Sequence, residues 1–191
     1  PAWSGYDDSR WQTVNLPHDW AVDLPYSGDA SHSHGYKCIG WKYPQNSAGW
    51  YRKHFTVPEE DRGKEIGIEF EGIFRDAEVF CNGIYLGHER SGYNVQYYNL
   101  TDVLDYGAEN VITVRCDASL EEGWYYEGAG IYRNVWLHKG GYRPQEGPGA
   151  RDFRFDPDRG FLLDGQRVQL RGCDIHLDAA GVGVAVPKEL W

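Results

Sequence analysis

Asn82-Gly83, inside the stretch AEVFCNGIYLGHE (Ala77–Glu89), limits the choice of fold more sharply than any other pair in the chain. It separates two β-rich runs by two residues. Both positions of a type I′ turn need positive φ, which Asn and Gly tolerate, so the pair predicts a tight antiparallel hairpin. Other short runs alternate in the same way. GWYRKHFTV (Gly49–Val57) ends at Pro58, and EIGIEFEGI (Glu65–Ile73) puts Ile66, Ile68 and Phe70 on one face. NVITVRCDA (Asn110–Ala118) and IYRNVWLHK (Ile131–Lys139) read as further strands. NLTDVLDYG (Asn99–Gly107) reads as one or two helical turns, capped by Thr101 and stopped at Gly107. Short strands with turns at this spacing predict a mainly β chain built as a β-sandwich or jelly roll.

Two stretches break the pattern. Pro17–Ser47 has no period and is rich in His, Gly, Ser, Asp and Tyr. A loop of that length is either functional or packed over one end of a sandwich. GGYRPQEGPGA (Gly140–Ala150) is dominated by Gly and Pro and reads as a linker. After it β structure restarts in FRFDPDRGFLLDGQRVQLRGCDIH, with Asp164-Gly165 as a second hairpin turn. VQLRGCDI reads as a more buried strand, and PKELW as a helix starting at Pro187. Strand, polar loop and helix start form the first unit of a parallel α/β array.

Charge narrows the partners. The chain of 191 residues carries a formal net charge of −10. Nucleic acid and anionic membrane need Lys/Arg clusters, so neither is an expected partner. No run is long enough to span a bilayer. There is no Met, even at position 1, so the sequence reads as a processed chain or an excerpt. Cys38, Cys81, Cys116 and Cys173 form no CxxC or CxxH pair. Three lie in expected strands, all four are expected unpaired, and the compartment stays open. His18, His32 and His34 share the long loop with Asp19 and Asp29. Their spacing is irregular, which suits a wet, flexible loop better than a metal site. The eight Trp and fourteen Tyr suit core packing and also the weakly apolar faces of sugar rings.

Four segments together resemble glycoside hydrolase family 2, the β-galactosidase and β-glucuronidase family. They are VNLPHDWAVDLP (Val14–Pro25), GWYRKHF (Gly49–Phe55), FEGIFRDAEVFCNGIYLGHERSGYNVQYYNLTDVL (Phe70–Leu104) and GWYYEGAGIYRNVWLHK (Gly123–Lys139). The resemblance implies a galactose-binding-like jelly-roll sandwich over residues 1–139. The tail RFDPDRGFLLDGQRVQLRGCDIHLDAAGVGVAV resembles the family's approach to its (β/α)8 barrel. Residues 151–191 would then be a short β hairpin and the first barrel strand, cut short. The family places an immunoglobulin-like domain between the two, and here only the linker 140–150 holds that place.

The resemblance implies a retaining exo-glycosidase acting on β-galactosides or related β-glycosides. That chemistry needs two carboxyl groups about 5–5.5 Å apart. In this family both are Glu on later barrel strands, one within an Asn-Glu pair. The sequence contains no Asn-Glu dipeptide, so no catalytic residue is assigned and the chain alone is not expected to hydrolyse glycosides. His176 falls where the first barrel strand of the family ends in a sugar-contacting His, and its structural alternative is a local turn. Asp174 would accept from a sugar hydroxyl or orient a neighbour, and Asp178 would brace the loop. Trp124 stands where some relatives have a sugar-binding carboxylate and would stack on the ring, with Glu127 three residues on. Asp19 and Trp20 of PHDW would edge the barrel, Asp19 serving equally well as a turn former. Arg75 and Arg133 read as salt-bridge anchors to neighbouring domains. No cofactor is expected in this segment, since the Mg2+ or Na+ of some members is held by barrel residues absent here. The implied partners are carbohydrate, the remaining barrel and immunoglobulin-like domains, and further copies in an oligomer. A non-catalytic carbohydrate-binding or scaffolding module is the alternative, because jelly rolls are a common lectin architecture.

Overall fold

The computed structural model describes residues 1–142 and 152–190. Their contacts form two units: Pro1–Tyr142 with the chain from Leu177 onward, and Arg143–His176. The expected linker lies outside the described residues from position 143 to 150, and the nature of its first residues, Gly140 and Gly141, is that of a bend with positive φ.

The first unit contains two antiparallel sheets. In the larger, β1 (Ala48–Thr56) pairs with β6 (Glu109–Asp117), which pairs with β3 (Ala77–Cys81), which pairs with β4 (Ile84–Glu89). In the smaller, β2 (Ile66–Phe70) lies between β5 (Gln96–Asn99) and β7 (Val135–Lys139). The inward faces pack together into one core. Ile66, Ile68 and Phe70 from the small sheet join Val79, Cys81, Ile112, Val114 and Cys116 from the large one. This is a β-sandwich, with its layers held by apolar burial. The alternation in β3 appears directly as buried and half-buried residues in turn.

The Asn82-Gly83 hairpin forms as expected, with φ of 51° and 83° and Cys81 opposite Ile84. The register then shifts between Val79 and Phe80, where Val79 faces Gly87 and Phe80 faces Tyr85. A bulge of this kind bends an edge strand and tightens its twist.

Several expectations are corrected. The strand expected over Ile131–Lys139 begins only at Val135. Before it, Gly130 bridges Phe74, and the Ile131 carbonyl accepts from the His18 amide instead of a strand neighbour. Asn99–Gly107 holds turns rather than helix, because Asn side chains take the backbone groups a helix would use. Asn99 Oδ1 accepts from the Thr101 amide, and Asn110 bonds both the amide and the carbonyl of Asp105. Thr101 Oγ1 accepts from Ile66 N and so serves the small sheet, not a cap. Strand β5 was not anticipated, since its QYYN shows no clean alternation.

The long loop 17–47 is ordered. It holds two 3-10 turns, Trp20–Asp23 and His32–His34, and a short helix α1 (Pro44–Ser47). Lys37 Nζ donates to Val22 O and Leu24 O and lies over the Tyr26 ring. A second small core of Ala21, Ile39, Phe74, Ala118 and Ala129 sits beneath it. The flexible-loop reading of its histidines therefore fails for His34, which is fully buried.

The second unit is a three-stranded antiparallel sheet of β8 (Phe153–Asp156), β9 (Gly160–Leu163) and β10 (Gln166–Arg167). Asp164 and Gly165 make its turn at φ of 51° and 77°. Leu162 is buried. The strand expected over Val168–Ile175 does not form among the described residues, and Leu170 and Ile175 are exposed. A strand needs a ladder partner for its backbone groups, and β10 ends at Arg167. Pro187 opens only a 3-10 turn, Lys188–Leu190. All four cysteines are unpaired, but only Cys81 and Cys116 lie on strands.

Candidate functional site

Three segments of the first unit meet around Asp19. The 3-10 turn it caps, Trp20–Asp23, is tied to the loop before β7 by Trp20 N donating to Ala129 O at 3.1 Å. The Asp19 carboxylate accepts four hydrogen bonds. Oδ1 takes Ala21 N at 3.0 Å and Ala129 N at 2.9 Å. Oδ2 takes the Tyr126 hydroxyl at 2.9 Å and Val184 N at 3.1 Å. Asp19 is buried, and burial pushes its carboxyl above the usual range despite these donors. The structure therefore gives Asp19 the local turn-capping role and adds a longer reach, to residues 126, 129 and 184.

A polar cluster lies in the same unit. Arg75 is buried and pairs through Nη2 with Glu122 Oε1 at 2.8 Å, while its Nε and Nη1 have no hydrogen-bond partner. Its ion pair is thus internal to the unit. Arg133 is exposed and stands over the Tyr132 ring, with no carboxylate partner among the described residues. His34 feels the charges of Glu121 and Arg75, and burial holds its pKa below the usual imidazole value. The Ala118 backbone lies beside its ring without reaching hydrogen-bond geometry, so both ring nitrogens are unsatisfied. Glu121 Oε2 is likewise buried and unsatisfied. Glu127 is buried and accepts from Glu122 N and from Gly123 N at 3.0 Å, and burial raises its pKa. Ser33 joins the two loops: its hydroxyl donates to Gly123 O and its carbonyl accepts from Glu127 N.

Beside Glu121 opens a cleft of about 190 Å3, lined also by Asp29, Ser31, Gly40, Trp41 and Lys42. Trp41 is 67% exposed, and Lys42 Nζ stands over its ring at 5.6 Å from the centroid. A flat apolar wall among carboxylates, a hydroxyl and an ammonium suits a neutral polyol, which needs both stacking and hydrogen bonds.

Trp124 is 93% exposed, so its ring is free to stack. Asp174 and His176 belong to the second unit and are both exposed. Asp178 lies in the first unit and acts on the Tyr126 hydroxyl through its charge. The structure thus brings Asp19, Tyr126 and Asp178 together, and separately groups Glu127 with Arg75 and Glu122. Sequence reasoning missed His34, Glu121 and Trp41 as site residues. The signal that could have found Trp41 was an isolated Trp between Gly40 and Lys42 in a loop without period. Among the described residues no group of His, Cys, Asp and Glu could hold a metal ion.

The chain is similar to known proteins over most of its length. The family described as glycosyl hydrolases family 2, sugar binding domain, matches residues 2–141. The β-galactosidase BoGH2A of Bacteroides ovatus is 43% identical over 138 residues, covering 72% of this chain and 16% of that protein. A β-glucuronidase of Formosa agariphila is 35% identical over 146 residues, covering 70% of this chain and 14% of that protein. The chain therefore spans about a sixth of the length of these relatives. A β-glycosidase structure from Bacteroides vulgatus superposes with a TM-score of 0.75 at 25% identity, over 99% of this chain and 36% of the other.

Proposed function

The chain belongs to glycoside hydrolase family 2, and from that premise we propose that it is the front part of a retaining exo-β-glycosidase acting on β-galactosides or related β-glycosides. The observation that carries this reading is the family match over the whole sandwich, joined to relatives named for β-galactosidase and β-glucuronidase activity. The sandwich of residues 1–139 is the jelly-roll sugar-binding domain, 140–150 the linker, and 151–191 the approach to a (β/α)8 barrel. The absence of an Asn-Glu pair puts the two catalytic carboxyl groups outside this sequence. What these residues contribute is binding. His176 both donates and accepts hydrogen bonds, as a sugar hydroxyl pair requires, and Asp174 accepts. At the C-terminal end of a first barrel strand both would face the substrate. Trp124 and Trp41 supply ring faces, with Glu121 as an acceptor for hydroxyls, while the buried Glu127 braces its loop through Glu122 N and Gly123 N.

The test is a nitrophenyl-glycoside panel on a longer protein that carries this chain. Cleavage of a β-galactoside or a related β-glycoside with net retention at the anomeric carbon is the expected result. No cleavage of any member of the panel would sink the glycosidase reading. The exposure of Trp124 and Trp41 also favours the second reading, a carbohydrate-binding module without catalysis. When the panel is negative, titration calorimetry of the 191-residue chain with galactosides tests this second reading, and no binding would overturn it.

A further inference from the structure

The contact between Asp19 and Val184 joins positions 165 residues apart in sequence. Val184 sits in a small self-bonded turn. Ala179 bridges Gly183, with Gly183 N donating to Ala179 O at 2.9 Å, and Ala185 N donates to Val182 O at 3.1 Å. The segment thus carries its own local bonds and does not extend either sheet. It meets the sandwich at a site shaped for it. Gly128 and Gly183 both have positive φ, at 69° and 59°. A Cβ on Gly128 would stand 2.6 Å from Asp19 Oδ2, and one on Gly183 would stand 2.1 Å from the same atom. Two glycines from separate segments of the chain are therefore needed for the carboxylate to reach the Val184 amide. A Cβ on Gly128 would also meet Val184 Cγ2 at 2.4 Å, so the Val184 side chain seats in the space that Gly128 leaves.

We infer that Asp19 is a latch that holds the segment 177–186 on the β-sandwich as a releasable strap. The strap opens as a unit when the latch is lost, and the sandwich stays folded. Three of the four donors to the carboxylate belong to the sandwich and one to the strap, so release costs the sandwich little of its own bonding. This inference goes beyond the glycosidase reading and does not depend on it.

Amide hydrogen exchange on the 191-residue chain tests it, with the β6 amides of Val111–Val114 as the internal reference. Asp19→Asn keeps the shape of the side chain and removes its charge. Gly183→Ala places a Cβ against Asp19 Oδ2 at a φ that strains it, and leaves the sandwich donors untouched. Both variants should lower protection at Gly183, Val184 and Ala185 by at least about tenfold while β6 protection holds. Should Asp19→Asn unfold the sandwich, Gly183→Ala decides. Strap protection that stays unchanged in Gly183→Ala, or that falls only together with β6, overturns the latch.

Discussion

The side-chain amide of Asn82 donates to Asn110 Oδ1 at 2.8 Å, joining the β3–β4 hairpin turn to the start of β6. Asn82 Oδ1 in turn accepts from Val111 N at 2.9 Å. The turn residue that starts the hairpin is thus also tied to the strand beside it. Asn110 is fully buried and spends its remaining bonds on the Asp105 amide and the Asp105 and Ala108 carbonyls.

Removing that hub takes four part-buried hydrogen bonds from the turn. Asn110→Ala strips bonds from Asp105 N, Asp105 O, Ala108 O and Asn82 Nδ2 at once. A hydrogen bond contributes about 0.5–1.5 kcal/mol net, so losing four together is expected to cost about 3 kcal/mol. In a domain of this size that lowers the melting temperature by about 6–12 °C. Calorimetric melting of wild type and variant measures it, and a shift under about 2 °C would show that water replaces Asn110.

The same hub shows how far the sequence was legible. Strands β1, β2, β3, β4 and β6 follow from alternation and turn chemistry, because a pleated, half-buried surface writes itself into the residue order. Asn99–Gly107 was read as helix from local signals, yet Asn110, beyond that window, captures its backbone. Val168–Ile175 has the composition of a strand, but composition cannot supply the partner strand a ladder needs. Among the site residues, Asp19 and Glu127 were picked out by motif, while His34 and Glu121 gave no local sign. Their place comes from loops 31–34 and 121–127 meeting through Ser33, a contact between distant parts of the chain.

Thiol chemistry should divide the cysteines by position. Cys116 is fully buried, and burial raises its thiol far above the usual range. Burial pushes the buried Cys81 thiol up to about 11. The thiolate is the reactive form, so both should stay silent in the native protein. Cys173 is exposed and Cys38 half-buried. Dithionitrobenzoate should label Cys173 rapidly and Cys38 more slowly, with Cys81 and Cys116 reacting only in denaturant. Fast native labelling of either strand cysteine, read by peptide mass, would contradict the packing of the core.

Arg52 organises the first residues of the chain from an almost sealed position, its side chain 1% exposed. Nε donates to Asp8 Oδ2 at 2.7 Å, Nη1 to Trp3 O at 3.0 Å and Nη2 to Ser4 O at 3.0 Å. A guanidinium can hold three such acceptors in fixed directions, whereas an ammonium cannot. Arg52→Lys should therefore release the arm nearly as fully as Arg52→Ala. A loss of stability is expected from breaking this part-buried pair and freeing the arm. Urea unfolding gives the loss, and exchange at the amides of Tyr6 and Trp11, which bond Trp3 O and Asp8 O, reports the arm. Full rescue by Lys would show that charge alone holds it.

His54 gives the fold a pH response of definite sign. Its Nε2 lies 3.0 Å from Asp8 Oδ2 and its Nδ1 3.2 Å from Glu109 Oε1. Both ring nitrogens donate at once only in the imidazolium, so these carboxylates, Asp8 foremost, raise its pKa above 6.5. The folded state then binds the proton more tightly than the unfolded chain does. The stabilisation is complete below the unfolded value and fades as pH rises through the folded one. His18 and His34 run the other way: burial lowers their pKa, so their neutral forms favour the fold as pH rises toward 6.5. Stability should therefore climb as pH approaches 6.5 from below and decline just above it. Unfolding in urea across this range, with His54→Gln beside wild type, separates the two limbs. The variant should lose the decline above 6.5 and keep the climb below it. A decline that persists in His54→Gln would assign it to another group.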